Sequence, residues 1–223
     1  IVKNMLTAGQ RVGFVPMEMN SVRLTKQLLY LYAEVSPFNR MEKKEIEKIK
    51  LAKSVLEDKP IFQFSYKKIL PGVDEFINAC QNMVKKNQVE IMFIDYLQLI
   101  DSGLVEVSEY ENLAYEHVVI ELKKFARKYN IPLVIASSLT KDVALRSGDK
   151  RPIITDIPGS GIIEELADNI LLLHRPYYYG IIEDEEGNKL TGLMEVIIAK
   201  SKTGEIGEMY LRKNPGKMRL DEA

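Results

Sequence analysis

Val89-Glu90-Ile91-Met92-Phe93-Ile94-Asp95-Tyr96-Leu97-Gln98-Leu99-Ile100 is the stretch whose reading decides the fold. Apolar residues crowd both faces of a short segment, the pattern of a strand covered on both sides in a parallel sheet. An acid, Asp95, then stands at the carboxyl end, where open α/β sheets place their ligands. A carboxylate there can hold a metal ion; it can equally be no more than the polar end of a strand.

Upstream, Pro71-Gly72 opens a helix expected over Val73–Lys86, preceded by a strand Ile61–Tyr66 and a charged helix near Glu42–Leu56. Before these, Leu24, Leu28, Leu31 and Val35 recur at helical spacing in a helix that Ser21 can cap. Arg11–Met17 reads as a buried strand, and Ile1–Ala8 as the end of a helix closed by Gly9-Gln10. Downstream, Asp101–Ser108 lacks apolar periodicity. Glu109–Lys128 is the longest helical pattern, with Ala114, Val118, Leu122 and Phe125 as its stripe. Ile131–Ser137 is another apolar strand. Thr140–Gly161 is irregular and too long to be an idle connection in a compact domain. A short helix Ile162–Ala167, a strand Ile170–His174 and a hairpin of Met194–Lys200 with Glu208–Lys213 complete the chain. Strands alternating with helices and ending in a hairpin predict an α/β fold: a mainly parallel sheet, helices on both faces, an antiparallel C-terminal hairpin.

The 223 residues suit one such domain, 1–223, and the apolar fraction of 46% supplies a real core. A net charge of −1 means that any nucleic-acid surface must be a local cluster of Lys and Arg. The single cysteine, Cys80, excludes an internal disulfide framework and points to a reducing compartment. No apolar run approaches the roughly 18–20 residues that span a bilayer, so a cytoplasmic protein with no membrane partner is expected. The chain begins at Ile1, without a methionine, inside an apparent helix; the expectation is a piece of a longer protein.

Several residues invite chemistry, each with a plainer reading beside it. Glu18 follows the strand Arg11–Met17 and can serve as a general base or simply as a solvated helix-entry acid. Lys141, Arg146, Lys150 and Arg151 concentrate positive charge on the irregular segment, as phosphate binding requires, or merely keep a loop soluble. Gly159-Ser160-Gly161, just before a helix, can present backbone N–H groups to an anion. That segment has no aromatic residue, so base stacking would be minor and binding blind to sequence. Lys200 and Lys202 can guard a sheet edge against aggregation or bind an anion. His117 and His174 lack a second ligand at metal spacing and read as structural. Tyr177-Tyr178-Tyr179 can flank a base, meet a subunit or simply pack.

Asp95-Tyr96-Leu97-Gln98-Leu99 resembles the Walker B segment of the DnaB-type or Twinkle-like replicative helicases, whose motor is a RecA-like P-loop nucleoside triphosphatase. Further blocks share the likeness: Pro16-Met17-Glu18-Met19, Lys150-Arg151-Pro152, Asp156, Ser160-Gly161, Ile163-Glu164, Ala167-Asp168 and Lys200-x-Lys202-x-Gly204. The resemblance runs from about Ile1 to Arg219. It implies Asp95 as ligand of the Mg²⁺ that accompanies ATP and Glu18 as the catalytic base. It implies Lys200 and Lys202 reaching the nucleotide of a neighbouring subunit, Ser138 near the γ-phosphate, and Lys141, Arg146, Lys150, Arg151, Ser160 and Gly161 on single-stranded DNA. A homo-oligomer in the form of a ring hexamer, and contacts with a primase and a helicase loader, come with it. Departures from the family pattern are Lys202 in place of an arginine, Ser138 in place of a glutamine, and Pro158-Gly159 in place of an Arg-Glu pair. No Gly-x-x-x-x-Gly-Lys-[Ser/Thr] occurs; the expectation is that it lies upstream of Ile1 and that the chain as given hydrolyses no ATP. The alternatives are a RecA/RadA-type recombinase ATPase and a non-hydrolysing RecA-fold module for DNA binding or assembly.

Overall fold

The computed structural model describes residues 1–38, 40–64, 70–103, 111–148, 150–184, 186–214 and 219–223, with 111 and 112 as backbone alone. Two compact units partition the chain, Ile1–Ser138 and Leu139–Ala223.

In the first unit the order is α1 (Val2–Thr7), β1 (Val12–Pro16), α2 (Ser21–Ala33), α3 (Lys43–Glu57), β2 (Ile61–Gln63), α4 (Val73–Asn87), β3 (Ile91–Asp95), α5 (Glu111–Tyr129) and β4 (Leu133–Ile135). The sheet order is β2-β1-β3-β4 with every pairing parallel, and β1 and β3 lie in register from Val12↔Ile91 to Pro16↔Asp95. Successive side chains of a strand alternate between faces, and β1 shows what that does. Val12 packs with Leu6 of α1, and Phe14 packs against both α1 and the Leu24, Leu28 and Leu56 of α2 and α3. Gly13 faces the other way, against α4. A Cβ there would stand 2.9 Å from the Met83 sulfur and 3.0 Å from a Val89 methyl, so the helix approaches only because the side chain is a hydrogen. Helices therefore cover both faces of β1, as the continuous apolar runs require.

The cap of α2 is Asn20, whose side chain accepts from Arg23 N at 2.9 Å, rather than Ser21. Glu42 and Glu45 form the reciprocal cap of α3. Of the sequence expectations, Ser65 and Tyr66 at the end of a strand, the 104–108 part of the loop and a helix start at Glu109 lie outside the described residues.

The second unit holds α6 (Asp142–Leu145), α7 (Ser160–Leu166), β5 (Asn169–His174), β6 (Leu193–Ser201), β7 (Gly207–Asn214) and β8 (Arg219–Glu222). The expected hairpin is β6–β7, paired Leu193↔Arg212 to Ile198↔Gly207. The antiparallel part is larger than a hairpin: β5 and β8 extend it to a four-stranded sheet of its own, β5-β6-β7-β8. Strand β8 carries too few apolar residues to announce itself, and β5, apolar on both faces, reads like a parallel strand. Ile157, Ile170 and Leu172 form the buried cluster here, with Leu139, Ile163 and Ile197 around it.

Candidate functional site

The register of β1 and β3 builds the acidic site. Pro16 and Asp95 are paired Cα to Cα, and Met17 N donates to the Asp95 carbonyl at 2.8 Å, so the two strands leave the sheet together. Glu18, exposed, follows immediately; Asp95 is half-buried. The Asp95 carboxyl is held above its ordinary pKa, first by burial and then by the negative charge of Glu18. Two acids brought together at the carboxyl ends of adjacent parallel strands are a place that a cation relieves. Among the described residues no cluster of three or more metal-ligating side chains occurs. A nucleotide-bound magnesium asks for less, one or two carboxylates beside the phosphates, and Asp95 fits that demand.

Past Asp95, whose peptide bond to Tyr96 is cis, the chain makes a single 3-10 turn, Leu97–Leu99. Leu97 N donates to Ala136 O at 2.9 Å, and the Gln98 amide spans the exit of β4: its Nε2 donates to Ser137 Oγ at 2.7 Å and its Oε1 accepts from Ser138 N at 3.2 Å. Gln98 thus ties the exit of β3 to the exposed Ser138. Read in the sequence it is only part of a motif; its partners are distant in the chain and leave no local signal.

The cations of the second unit are arranged differently. Arg146 pairs with the buried Asp156, whose other carboxylate oxygen accepts from Ile153 N at 2.8 Å. Lys150 donates to the carbonyls of Ala144 (3.0 Å) and Arg146. Arg151 pairs with Glu195 of β6, itself buried, and with Glu208 of β7. Hydrogen bonding to Glu195, and next the charges around it, raise the guanidinium further above its ordinary pKa. Lys141 is exposed and shows no side-chain hydrogen bond or ion pair among the described residues. Ser160 begins α7 after Gly159 in the left-handed region (φ 71°), and Gly161 is exposed. Lys200 donates to the carbonyls of Glu164 and Glu165, and Lys202 to Asp168 at 2.8 Å. The structure therefore brings Glu18 and Asp95 together, sets Ser138 beside Gln98, and gives five of the six expected cations internal acceptors.

His174 is buried and stacks on Tyr179 with ring centroids 5.8 Å apart, a packing role. Arg175 lies over Tyr178 at 5.7 Å.

The sequence pattern of the DnaB-like helicase C-terminal domain matches residues 1–222. The chain belongs to that family. It is 30% identical to the replicative DNA helicase DnaB of Rickettsia prowazekii (strain Madrid E), over 90% of this chain and 43% of that protein. It is also 30% identical to the replicative DNA helicase DnaC of Bacillus subtilis (strain 168), over 95% of this chain and 46% of that protein. The chain thus spans less than half the length of these curated relatives. Among solved structures, one ATPase domain superposes with a TM-score of 0.83 at 25% identity, covering 99% of this chain and 77% of that one. A DnaB-like replicative helicase, solved with its interactions with primase, superposes with the same score and identity over 98% of this chain and 52% of its own. The RecA-like fold and the helicase lineage are thereby shown, and the recombinase alternative is set aside. Among the described residues no helix is long and apolar enough to cross a membrane.

Proposed function

We propose that this DnaB-like domain is the single motor domain of a ring-shaped replicative helicase, turning over ATP with Mg²⁺ while it moves along single-stranded DNA. The pairing of Pro16 with Asp95, which delivers Glu18 to the same strand-end site, is the observation that carries the reading. Asp95 would hold the magnesium of the nucleotide, which when bound neutralises phosphate charge. Glu18, exposed beside it, would orient the attacking water and take its proton. Ser138, fastened to Gln98 at the exit of β4, would lie near the γ-phosphate. Lys200 and Lys202 would reach the nucleotide of an adjacent copy. Lysine there keeps the charge and gives up the bidentate fork of an arginine.

DNA would meet the second unit through Lys141 and the backbone at the half-buried Ser160 and the exposed Gly161. Arg146, Lys150 and Arg151 act first in shaping the loop, since their donors already have acceptors, and add to the positive field there. A ring hexamer, a primase and a helicase loader are the partners this reading expects. The Gly-x-x-x-x-Gly-Lys-[Ser/Thr] cradle that ATP requires does not occur in these 223 residues, so the test uses a version of the chain extended upstream to carry one. In that protein, Glu18→Gln is expected to cut steady-state ATP turnover by roughly 10²–10⁴-fold, the usual worth of a general base, with nucleotide affinity nearly unchanged. Turnover at the parental rate in this variant, with and without a single-stranded oligonucleotide, would remove Glu18 from the mechanism.

A further inference from the structure

The two cations at the end of β6 already have occupations. Lys200 caps the carboxyl end of α7 through the Glu164 and Glu165 carbonyls, where the helix carries partial negative charge. Lys202 pairs at 2.8 Å with Asp168, two residues beyond the last residue of α7. An ammonium that swings outward to a phosphate on another copy gives up these acceptors or shares its three donors with them.

How firmly each is held separates a brace from a resting place. Arg151 grips Glu195, whose side chain is 6% exposed, so releasing it would leave a buried carboxylate without its partner. The Lys202 and Asp168 side chains are 66% and 49% exposed. Water can replace either partner, and an exposed pair of this kind shifts an equilibrium by no more than about fivefold. A pair this weak contributes little to holding the fold, yet it places a carboxylate where it competes with any anion for the same ammonium.

We propose that Asp168 is a positioning residue, the resting acceptor of Lys202, and that nucleotide phosphates on an adjacent copy of this chain compete with Asp168 for that ammonium. Lys200 leaves the Glu164 and Glu165 carbonyls in the same movement, so engagement of the nucleotide uncaps α7, the helix that begins at Ser160 beside the DNA-facing segment. Asp168 then sets how readily nucleotide is engaged, and the α7 cap reports that engagement to the loop. This inference rests on the reading of Lys200 and Lys202 as nucleotide-reaching cations.

The test is the affinity of the version extended upstream to carry a phosphate-binding loop for a fluorescent non-hydrolysable ATP analogue with Mg²⁺, without DNA. Five proteins are compared: parental, Asp168→Asn, Asp168→Glu, Lys202→Ala and the Asp168→Asn/Lys202→Ala double variant. Asp168→Asn is expected to tighten binding roughly two- to fivefold, Asp168→Glu to restore the parental value, and Lys202→Ala to weaken binding. In the Lys202→Ala background the Asn substitution is expected to change nothing, since the coupling belongs to the pair. Saturating analogue should also speed hydrogen exchange at the Ala167 amide, which bonds to the Ile163 carbonyl at 2.9 Å in the last turn of α7. A silent Asp168→Asn beside a damaging Lys202→Ala overturns the resting-acceptor role alone. So does tightening of equal size in both backgrounds, which would make Asp168 merely structural. If Lys202→Ala changes neither affinity nor turnover, the hairpin reading fails and this inference falls with it.

Discussion

The two units of the chain hold their charges in opposite ways. In Ile1–Ser138 the carboxylates Glu18 and Asp95 are placed by backbone: the β1–β3 register and the Met17-to-Asp95 hydrogen bond bring them to the same end of the sheet, where burial and then the Glu18 charge hold the Asp95 carboxyl above its ordinary pKa. In Leu139–Ala223 the cations are placed by other side chains and by carbonyls: Arg146 by Asp156, Arg151 by Glu195 and Glu208, Lys202 by Asp168. The first arrangement keeps a half-buried carboxyl beside a second negative charge. In the second, binding an anion is an exchange of partners, so its strength depends on how tightly the internal partner was held.

After the loss of turnover expected for Glu18→Gln, the largest effect separates a covered position of the first unit from an open position of the second. Phe76 of α4 is wholly buried, whereas Leu171 of β5 is 54% exposed. Denaturant unfolding of the 223-residue chain should show Phe76→Ala costing about 3–5 kcal/mol, against about 0.5 kcal/mol or less for Leu171→Ala. Equal losses would break the contrast between the covered α4 side chain and the open face of β5.

The loop cations give a smaller and more pointed test. Arg151→Ala leaves the buried Glu195 carboxylate without its ion pair and should cost about 1–3 kcal/mol in the same unfolding assay. Lys141→Ala should leave stability unchanged. In a version of the chain extended upstream to carry a phosphate-binding loop, it should instead lower the salt slope of single-strand binding by about 0.7, one released counterion, as read by fluorescence anisotropy. The reverse pattern, with Lys141 stabilising and Arg151 governing the slope, would exchange the roles given to them.

The smallest effect sharpens the acidic side of the comparison. Because the folded-state pKa of Asp95 is raised, its ionisation penalises the fold: the penalty is absent below the unfolded carboxylate value of about 3.9 and grows as pH rises through the raised folded value. Asp95→Asn removes that penalty. The melting temperature of the variant relative to the parent should therefore increase from pH 3.5 to pH 7; a difference that stays flat or falls would contradict the shared acidic site.

Local sequence was enough where one physical rule dominates. The run Ile91–Ile94 had to be a covered strand, because unbroken apolar residues satisfy both faces of a parallel sheet and no exposed one. The helices α3 and α4 and the β6–β7 hairpin likewise stand within a few residues of where periodicity and turn residues put them. Asp95 at a strand end, Glu18 at another, and the family blocks around Lys150–Asp168 and Lys200–Gly204 were all legible for the same reason: each is a short pattern whose meaning depends on its own neighbours. What only tertiary structure decided is who meets whom. The approach of Glu18 to Asp95 needed the β1–β3 register; the Gln98 bridge needed β4 to lie beside β3; β5 paired with β6, although its apolar run suits a parallel strand equally well. Most of all, a lysine or arginine in sequence carries only a charge. Whether that charge is spent within the fold, as with Arg151 on Glu195, lightly parked, as with Lys202 on Asp168, or open to solvent, as with Lys141, depends on acceptors far along the chain and on how deeply folding buries them.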